Sequence, residues 1–236
     1  MWLIFYLLQS FATTLQPAGA QVPVICYHNL AAPGAGDMLH VSPATFRQQL
    51  QTLRDSGYHT PDPALLAKGA PLPPKSVIIT FDDSHADHFL TAAPALEEAG
   101  FRGVFFIMTV TIGKKGYLTT GQIRTLHAHG HWIGSHTWDH PRITGEGGFP
   151  DTQIQLTGTK ATLERITGAP VTLFAYPYGF WNETIVAQVK KAGYKVAFQL
   201  SEKKSSTSPE FSVRRIMVDG RWNGRQLIRA MHEAFK

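Results

Sequence analysis

The sequence contains very little cysteine. Its 236 residues include one cysteine, Cys26, so no internal disulfide and no paired-cysteine zinc or redox motif can form. Cys26 lies in the apolar run 22–27, where we interpret it as a small buried hydrophobe. The alternative is a cysteine nucleophile with the nearby His28 as its base.

Charge is also sparse. Charged residues make up 17% of the chain, and the net charge is +5. The lysines and arginines are scattered, whereas a nucleic-acid-binding protein needs a clustered basic face. We therefore expect no nucleic-acid partner.

The chain has no apolar run long enough to span a bilayer, so we expect no stable membrane span. The short apolar run 2–8 is followed by small residues, Ala18-Gly19-Ala20. This pattern predicts a secretory signal peptide over residues 1–20, although no lysine or arginine precedes the run. The alternative is a genuine first strand or a membrane-touching segment. We expect one folded domain over residues 21–236, located outside the cell, in the periplasm or in the cell envelope.

Strand-like and helix-like segments alternate from residue 21 onward. This alternation, without a long linker or an internal repeat, predicts a single α/β domain with a parallel sheet or barrel. The predicted strands are 22–27, 77–81, 104–108, 132–136, 173–176, 196–199 and 213–218. The predicted helices are 43–56, 92–98, 120–129, 152–167, 183–191 and 226–235.

Polar residues follow three of the predicted strands. They are the pair Asp82 and Asp83, then His136, and then the segment 177–179. The carboxyl ends of barrel strands meet on one face, where active sites lie. We therefore expect one shared site.

Two of these segments are typical of a metal site. Adjacent carboxylates such as Asp82 and Asp83 repel each other unless a cation is near, although a helix N-cap pair is an equal alternative. His136 and His140 are four residues apart, and Pro141 favours a loop or strand end there over a helix. One aspartate and two histidines form a three-ligand site for a divalent metal ion. Zinc is the expected metal, although cobalt, nickel and iron bind similar ligands.

The motifs 80–83 (TFDD), 135–140 (SHTWDH) and 176–179 (YPYG), in this order, resemble the polysaccharide deacetylase family, the fourth carbohydrate esterase family. The resemblance covers residues 22 to 219. It implies an irregular (β/α) barrel and metal-dependent hydrolysis of N-acetyl groups on an N-acetylated glycan, with an N-acetylglucosamine-containing polysaccharide as substrate.

The resemblance also implies residue roles. Asp82 becomes the general base, and Asp83, His136 and His140 become the metal ligands. The backbone N–H of Tyr178 is expected to bind the oxyanion.

Two positions depart from the family pattern. Ser84 replaces the usual glycine, and Ala175 replaces an arginine that pairs with the base in many members. The variant 174–179 (FAYPYG) resembles exported poly-N-acetylglucosamine deacetylases, which carry an early Tyr-His whose histidine is the general acid. His28 matches that histidine, and His232 is the alternative acid.

Several further residues have two interpretations. Trp181 is either an aromatic platform for a sugar or a core residue. His85 and His88 are candidates for substrate contact, and Arg214 or Arg215 for pairing with a site carboxylate.

The histidines at positions 127, 129 and 131 are expected at the surface.

Two other functions stay open, namely a carbohydrate-binding protein with an inactive site and a hydrolase of another non-peptide C–N bond.

Overall fold

The computed structural model describes residues 21–30, 37–69, 72–142 and 147–236. The predicted signal peptide, residues 1–20, lies outside the described residues. Within the described ranges, no helix has the length and apolarity needed to cross a membrane.

In the part of the chain that the structure describes, eight short parallel strands form one sheet, in the spatial order β7-β6-β5-β4-β3-β2-β1-β8. Strands β1, β2, β3, β5 and β6 lie in apolar runs of the sequence and are buried on both faces, whereas the two short strands β7 and β8 are half-buried. The strands are β1 (Val24–Tyr27), β2 (Ile78–Phe81), β3 (Gly103–Ile107), β4 (Trp132–Ser135), β5 (Leu173–Ala175), β6 (Val196–Gln199), β7 (Val213–Arg214) and β8 (Ile216–Met217). The nearly closed parallel barrel confirms the predicted fold class.

The last two strands belong to one extended segment that joins both edges of the sheet. β7 pairs with β6, and β8 pairs with β1. Between them, the N–H of Arg215 donates to the carbonyl of Gln199, and the N–H of Val218 donates to the carbonyl of Cys26. The single strand predicted over 213–218 is therefore divided at Arg215, because its two halves pair with opposite edges of the sheet.

Among the described residues, six α-helices surround the barrel. They are α1 (Pro43–Asp55), α2 (Ala93–Glu98), α3 (Thr120–Ala128), α4 (Thr159–Thr167), α5 (Glu183–Lys191) and α6 (Gly224–Ala234). Side-chain caps begin several of them: Ser42 accepts the N–H of Thr45 at α1, and Thr119 forms a capping box with Gln122 at α3. π-helical turns at His88–Ala92 and Gln153–Gly158 precede α2 and α4.

The two faces of the strands have different partners, since successive residues of a strand point to opposite sides. Outward-facing residues such as Ile79, Phe105 and Phe174 belong to the main hydrophobic core under the helices. Inward-facing residues fill the barrel with a second apolar cluster that includes Val24, Ile78, Val104, Phe106, Leu173, Val196 and Phe198. Polar inward-facing residues follow this cluster at the carboxyl ends of the strands, where the site lies.

Candidate metal and catalytic site

Asp83, His136 and His140 come together at the carboxyl ends of β2 and β4. Oδ1 of Asp83 lies 3.6 Å from Nε2 of His136 and 3.8 Å from Nε2 of His140. One ligand atom from each of the three lies within 4.8 Å of the other two. Ligand atoms about 3.3 Å apart are expected around a tetrahedral zinc ion with bonds of about 2.0 Å. The three side chains therefore fit a divalent cation with little movement.

Backbone contacts hold the histidine ligands in the right orientation. Nδ1–H of His136 donates to the carbonyl of Ala175 over 2.8 Å, which leaves Nε2 free to bind a metal. The N–H of His140 donates to Oγ1 of Thr137 over 3.0 Å. Burial, and then the nearby His136, lowers the pKa of His140 to about 4. This imidazole is therefore neutral at physiological pH, as a metal ligand must be.

Five of the six described non-glycine residues with left-handed backbone lie in this site. Such residues are strained and concentrate at functional sites, because the surrounding structure must hold them. They are Asp83, Ser84, Thr137, His140 and Tyr178. The positive φ at His140 agrees with the predicted loop, which Pro141 favours over a helix.

Asp82 differs from Asp83 in its partners. Both carboxylate oxygens of Asp82 accept hydrogen bonds from Arg215, at 2.7 and 2.8 Å. Both side chains are buried. Burial alone would raise the pKa of Asp82, but the Arg215 guanidinium holds it well below its usual range. Asp82 therefore stays ionised beside the three ligands, with Oδ2 3.7 Å from Nε2 of His136.

Arg215 is the site residue that sequence reasoning left undecided. Arg214 instead donates to the carbonyl of Ala234 and to the carboxylate of Glu202. The family resemblance implied an arginine partner for Asp82 at the position where this chain has Ala175. Arg215, which lies between β7 and β8, pairs with Asp82 instead. The available signal was strand alternation, which places Arg214 and Arg215 on opposite faces.

Ser84 takes a glycine-like conformation, with φ of 63°. Its Oγ accepts the N–H of Met108 over 2.7 Å, and its carbonyl accepts the N–H of Leu118 over 2.9 Å. These bonds hold the turn after the aspartate pair in place. The departure from glycine therefore leaves the Asp82–Asp83 turn intact.

His28 follows β1 on the inward face, and its ring lies within 4.8 Å of the carboxylate of Asp82. Burial lowers its pKa, and Nδ1 has no hydrogen-bond partner among the described residues. His232 lies elsewhere: its Nε2 is 2.9 Å from the hydroxyl of Tyr58, in a pocket that also contains Ser76, just before β2. That pocket is at the amino end of the barrel, opposite the site. The structure therefore brings His28, but not His232, to the aspartate pair.

Cys26 is fully buried on the same face of β1, two residues before His28. Burial raises the pKa of the thiol above its usual range, so the nucleophilic thiolate is disfavoured. The buried hydrophobe interpretation agrees with this position.

Aromatic rings surround the opening of the site. The ring of Tyr178 lies 4.4 Å from that of His140 between centroids, and the side chains of Tyr178, Phe180 and Trp138 are exposed. Trp181 instead packs against the main hydrophobic core, with the ammonium of Lys203 over its ring at 5.2 Å.

The other histidines divide between the two ends of the barrel. His131 was expected at the surface, but it is buried and accepts the N–H of Gly103 at Nδ1 while its Nε2–H donates to Glu97. This differs from the prediction because the residue lies directly before β4, where the chain enters the barrel. His129 is exposed and contacts the same carboxylate of Glu97. His88 is buried near His28, and His85 stacks on Tyr117.

Comparisons with known proteins agree with this geometry. A model of the family described as Polysaccharide deacetylase matches residues 69–197. The Bacillus subtilis protein YxkH, provisionally named a polysaccharide deacetylase, is 30% identical over 181 residues, which cover 75% of this chain and 63% of YxkH. The matched region thus spans less than two thirds of YxkH.

Two further relatives cover most of both chains. The poly-beta-1,6-N-acetyl-D-glucosamine N-deacetylase of Staphylococcus aureus is 25% identical over 209 residues, covering 78% of this chain and 72% of the relative. The solved structure of the Streptococcus pyogenes deacetylase PplD, in complex with acetate, superposes with a TM-score of 0.80 at 25% identity. That superposition covers 90% of this chain and 99% of PplD.

Proposed function

Because the chain belongs to the polysaccharide deacetylase family, we propose that it hydrolyses the N-acetyl groups of an N-acetylglucosamine-containing glycan, with a divalent cation held by Asp83, His136 and His140. The observation that carries this proposal is the position of the ionised Asp82 beside these three ligand side chains. The products are acetate and a glycan amine.

The donor set supports a cation such as zinc. One carboxylate and two neutral imidazoles leave positions open for water and substrate. A divalent cation bound there supplies a Lewis acid that polarises the acetyl carbonyl and lowers the pKa of water. Asp82 lies outside this proposed ligand set, because both of its oxygens already accept a hydrogen bond from Arg215 and the compact ligand group is Asp83, His136 and His140.

Asp82 is then the base that removes a proton from the attacking water. Arg215 uses one lone pair of each carboxylate oxygen, and each oxygen keeps a second lone pair. Oδ2 lies 3.7 Å from Nε2 of His136, on the side of the three ligand side chains, and would accept a proton from a water molecule held there. The guanidinium also fixes the direction of the carboxylate, which orients the proton transfer.

Tyr178 and His28 complete the reaction. The backbone N–H of Tyr178, in a turn beside His140, donates to the acetyl oxygen as negative charge develops there. His28 takes up the proton that Asp82 removed from water and donates it to the leaving nitrogen, since an amine anion is too unstable to leave unprotonated. Its place near Asp82 supports this role.

For the substrate we propose a β-1,6-linked N-acetylglucosamine polymer, which the name of the Staphylococcus aureus relative specifies for that protein. The exposed rings of Tyr178, Phe180 and Trp138 offer stacking surfaces for neighbouring sugars. Trp181 is a further sugar-contact residue in this proposal if Lys203 moves away from its ring. The pattern of residues 1–20 supports export to the cell envelope or beyond.

The test measures acetate and free-amine release from β-1,6-linked N-acetylglucosamine oligomers by purified protein. We expect activity that is lost after chelation and returns with zinc or cobalt. Asp82→Asn serves as the matched variant, because it keeps the three ligands but removes the base. It is expected to lose at least a hundredfold in kcat.

Failure of every N-acetylated glycan as substrate, with metal bound, would overturn the proposal. Activity on a small amide or imide alone would instead identify a hydrolase of another C–N bond. The sugar-binding alternative rested on Ser84 and on the missing arginine at Ala175. Ser84 holds the turn, and Arg215 pairs with Asp82, so neither position supports an inactive site.

A further inference from the structure

His88 contacts the backbone of His28 at the end of β1. It begins the π-helical turn that follows the aspartate pair and is fully buried, with its ring 5.3 Å from that of Phe81 and 5.9 Å from that of Phe105. Its Nε2–H donates to the backbone carbonyl of His28 over 2.6 Å. This bond spans 60 residues of sequence and ties the end of β1 to the segment after β2.

Asp87 holds the same stretch of backbone two residues later. Its Oδ2 accepts the N–H of Leu30 over 2.8 Å. Between these two contacts, Asn29 exchanges backbone hydrogen bonds with Leu39 and Val41. The side chains of His88 and Asp87 thus fix the peptide group between His28 and Asn29 and the peptide group between Asn29 and Leu30.

We propose that Asp87 and His88 form a clamp that positions the ring of His28 for proton donation to the leaving amine. Both are positioning residues, and the inference rests on the proposed function of His28. The clamp needs a buried donor at His88, because only a donor can bind the His28 carbonyl. Burial lowers the pKa of His88 to about 4, so its ring is neutral at physiological pH. A neutral ring whose Nε2–H donates carries its lone pair on Nδ1, which defines the tautomer.

The backbone carbonyl of His28 and its Cβ share one Cα, so fixing the carbonyl direction fixes the direction in which the ring leaves the strand. A general acid must come within hydrogen-bond reach of the atom it protonates, so a small rotation removes its contribution. His131 offers a matched control, because it is an equally buried histidine with two hydrogen bonds at the other end of the barrel.

The experiment compares two substrates of the zinc-loaded enzyme. An N-acetylglucosamine oligomer has an amine leaving group that needs a proton, whereas 4-nitrophenyl acetate has a leaving group that does not. We expect His88→Leu to lower kcat for the oligomer ten- to a hundredfold, with KM and aryl acetate hydrolysis changed less than twofold. His28→Ala should show the same selectivity, and the double variant should be no slower than His28→Ala alone.

The second set of variants separates positioning from general damage. His88→Gln keeps a donor near the position of Nε2 and should recover at least part of the lost oligomer rate. His131→Leu should lower stability while leaving the ratio of the two rates unchanged. Equal losses on both substrates in His88→Leu, or no loss on either, would overturn the clamp.

A spectroscopic measurement decides the clamp independently of the reaction. In nitrogen-15 spectra of the zinc-loaded protein, the His28 ring signals should shift or broaden in His88→Leu but not in His131→Leu. Amide exchange at Leu30 should accelerate in Asp87→Ala. Unchanged His28 signals overturn the clamp even if the enzyme is active. An enzyme inactive on every acetamide whose His28 signals respond as expected overturns the proposed function but leaves the positioning in place.

Discussion

Arg215 and Asp82 form a buried ion pair with two hydrogen bonds, which joins the segment that closes the barrel to the end of β2. The two hydrogen bonds are 2.7 and 2.8 Å long, and neither side chain has appreciable exposure. In such a pair each charge compensates the desolvation of the other. Removing one partner therefore leaves an uncompensated charge in the barrel.

We expect Arg215→Met to reduce the free energy of unfolding by about 3–5 kcal/mol at pH 7. Arg214→Met is the control, because Arg214 pairs with the exposed Glu202 and should cost less than about 1 kcal/mol. Urea unfolding of the chelated proteins measures both. Removing both partners, in Asp82→Asn with Arg215→Met, should cost less than the sum of the single changes. An additive result would contradict the compensation.

The Arg215–Asp82 pair predicts that the titration of Asp82 changes the stability of the wild type and of Arg215→Met in opposite directions. In the wild type, the pKa of Asp82 lies below its unfolded value near 3.8, so this carboxylate stabilises the fold above that pH and the contribution is lost on acidification. In Arg215→Met, burial dominates and raises the pKa of Asp82 above the unfolded value. The difference in stability between the two proteins should therefore narrow as the pH falls from 7 to 5. A constant difference would show that Asp82 is not the group responsible.

The zinc affinities of variants at Asp82 and Asp83 should distinguish the roles of these two adjacent aspartates. Asp83→Ala and His140→Ala each remove a ligand atom and should weaken zinc binding at least a hundredfold. Asp82→Asn should bind zinc within about tenfold of the wild type, since it acts from outside the ligand set. Calorimetry of the apoprotein and the visible spectrum of the cobalt form report this without any assay of activity. Equal losses for Asp82→Asn and Asp83→Ala would show that both carboxylates are ligands.

We expect Ser84→Gly to destabilise the protein less than Ser84→Ala does. Either change removes the acceptor for the N–H of Met108, which costs about 1–3 kcal/mol. Glycine recovers about 1–2 kcal/mol of that loss, because it adopts a positive φ without the steric cost of a Cβ. Thermal unfolding should therefore rank the wild type and Ser84→Gly above Ser84→Ala, with the exposed Ser206→Ala unchanged. Equal stability of the two Ser84 variants would mean that the turn carries no strain.

His88 should contribute to acid sensitivity. Its pKa is about 4 in the fold and near 6.5 in the unfolded chain, so the unfolded state binds the extra proton as the pH falls from 6.5 towards 4. Stability is lost across that window, at up to about 1.4 kcal/mol per pH unit for this one group. The His88→Gln variant should show a shallower decline than the wild type in urea unfolding between pH 7 and 5. If the stability of the wild type and that of His88→Gln fell equally with pH, the proton taken up on unfolding would belong to another histidine.

Local patterns were sufficient to predict the fold class and the grouping of the candidate metal-binding side chains. Alternating apolar runs predicted a parallel sheet or barrel, the family resemblance implied the barrel, and strand ends predicted that Asp83 and His136 would meet. These inferences succeed because each depends on a few neighbouring residues and on the direction of parallel strands.

Contacts between distant segments were not predictable in the same way. The pairing of Arg215 with Asp82 requires the last strands to bind the first, which no local pattern indicates. The burial of His131 depends on the partner carboxylate of Glu97 in another helix. His28 was preferred to His232 because it follows a predicted strand, at the end where the site was expected. The position of His232 beside Tyr58 could be seen only in the three-dimensional structure.

The divided closing strand has a consequence for how the enzyme matures. Ile216 pairs with Ile25, and Val213 pairs with Phe198, so one short segment completes both open edges of the sheet at once. Asp82 meets its arginine only in that step, since Arg215 lies between the two pairings. The ion pair of Asp82 and the closure of the barrel therefore depend on the same segment. A nascent chain that still lacks this segment holds all three proposed metal ligands but lacks the arginine partner of the proposed base.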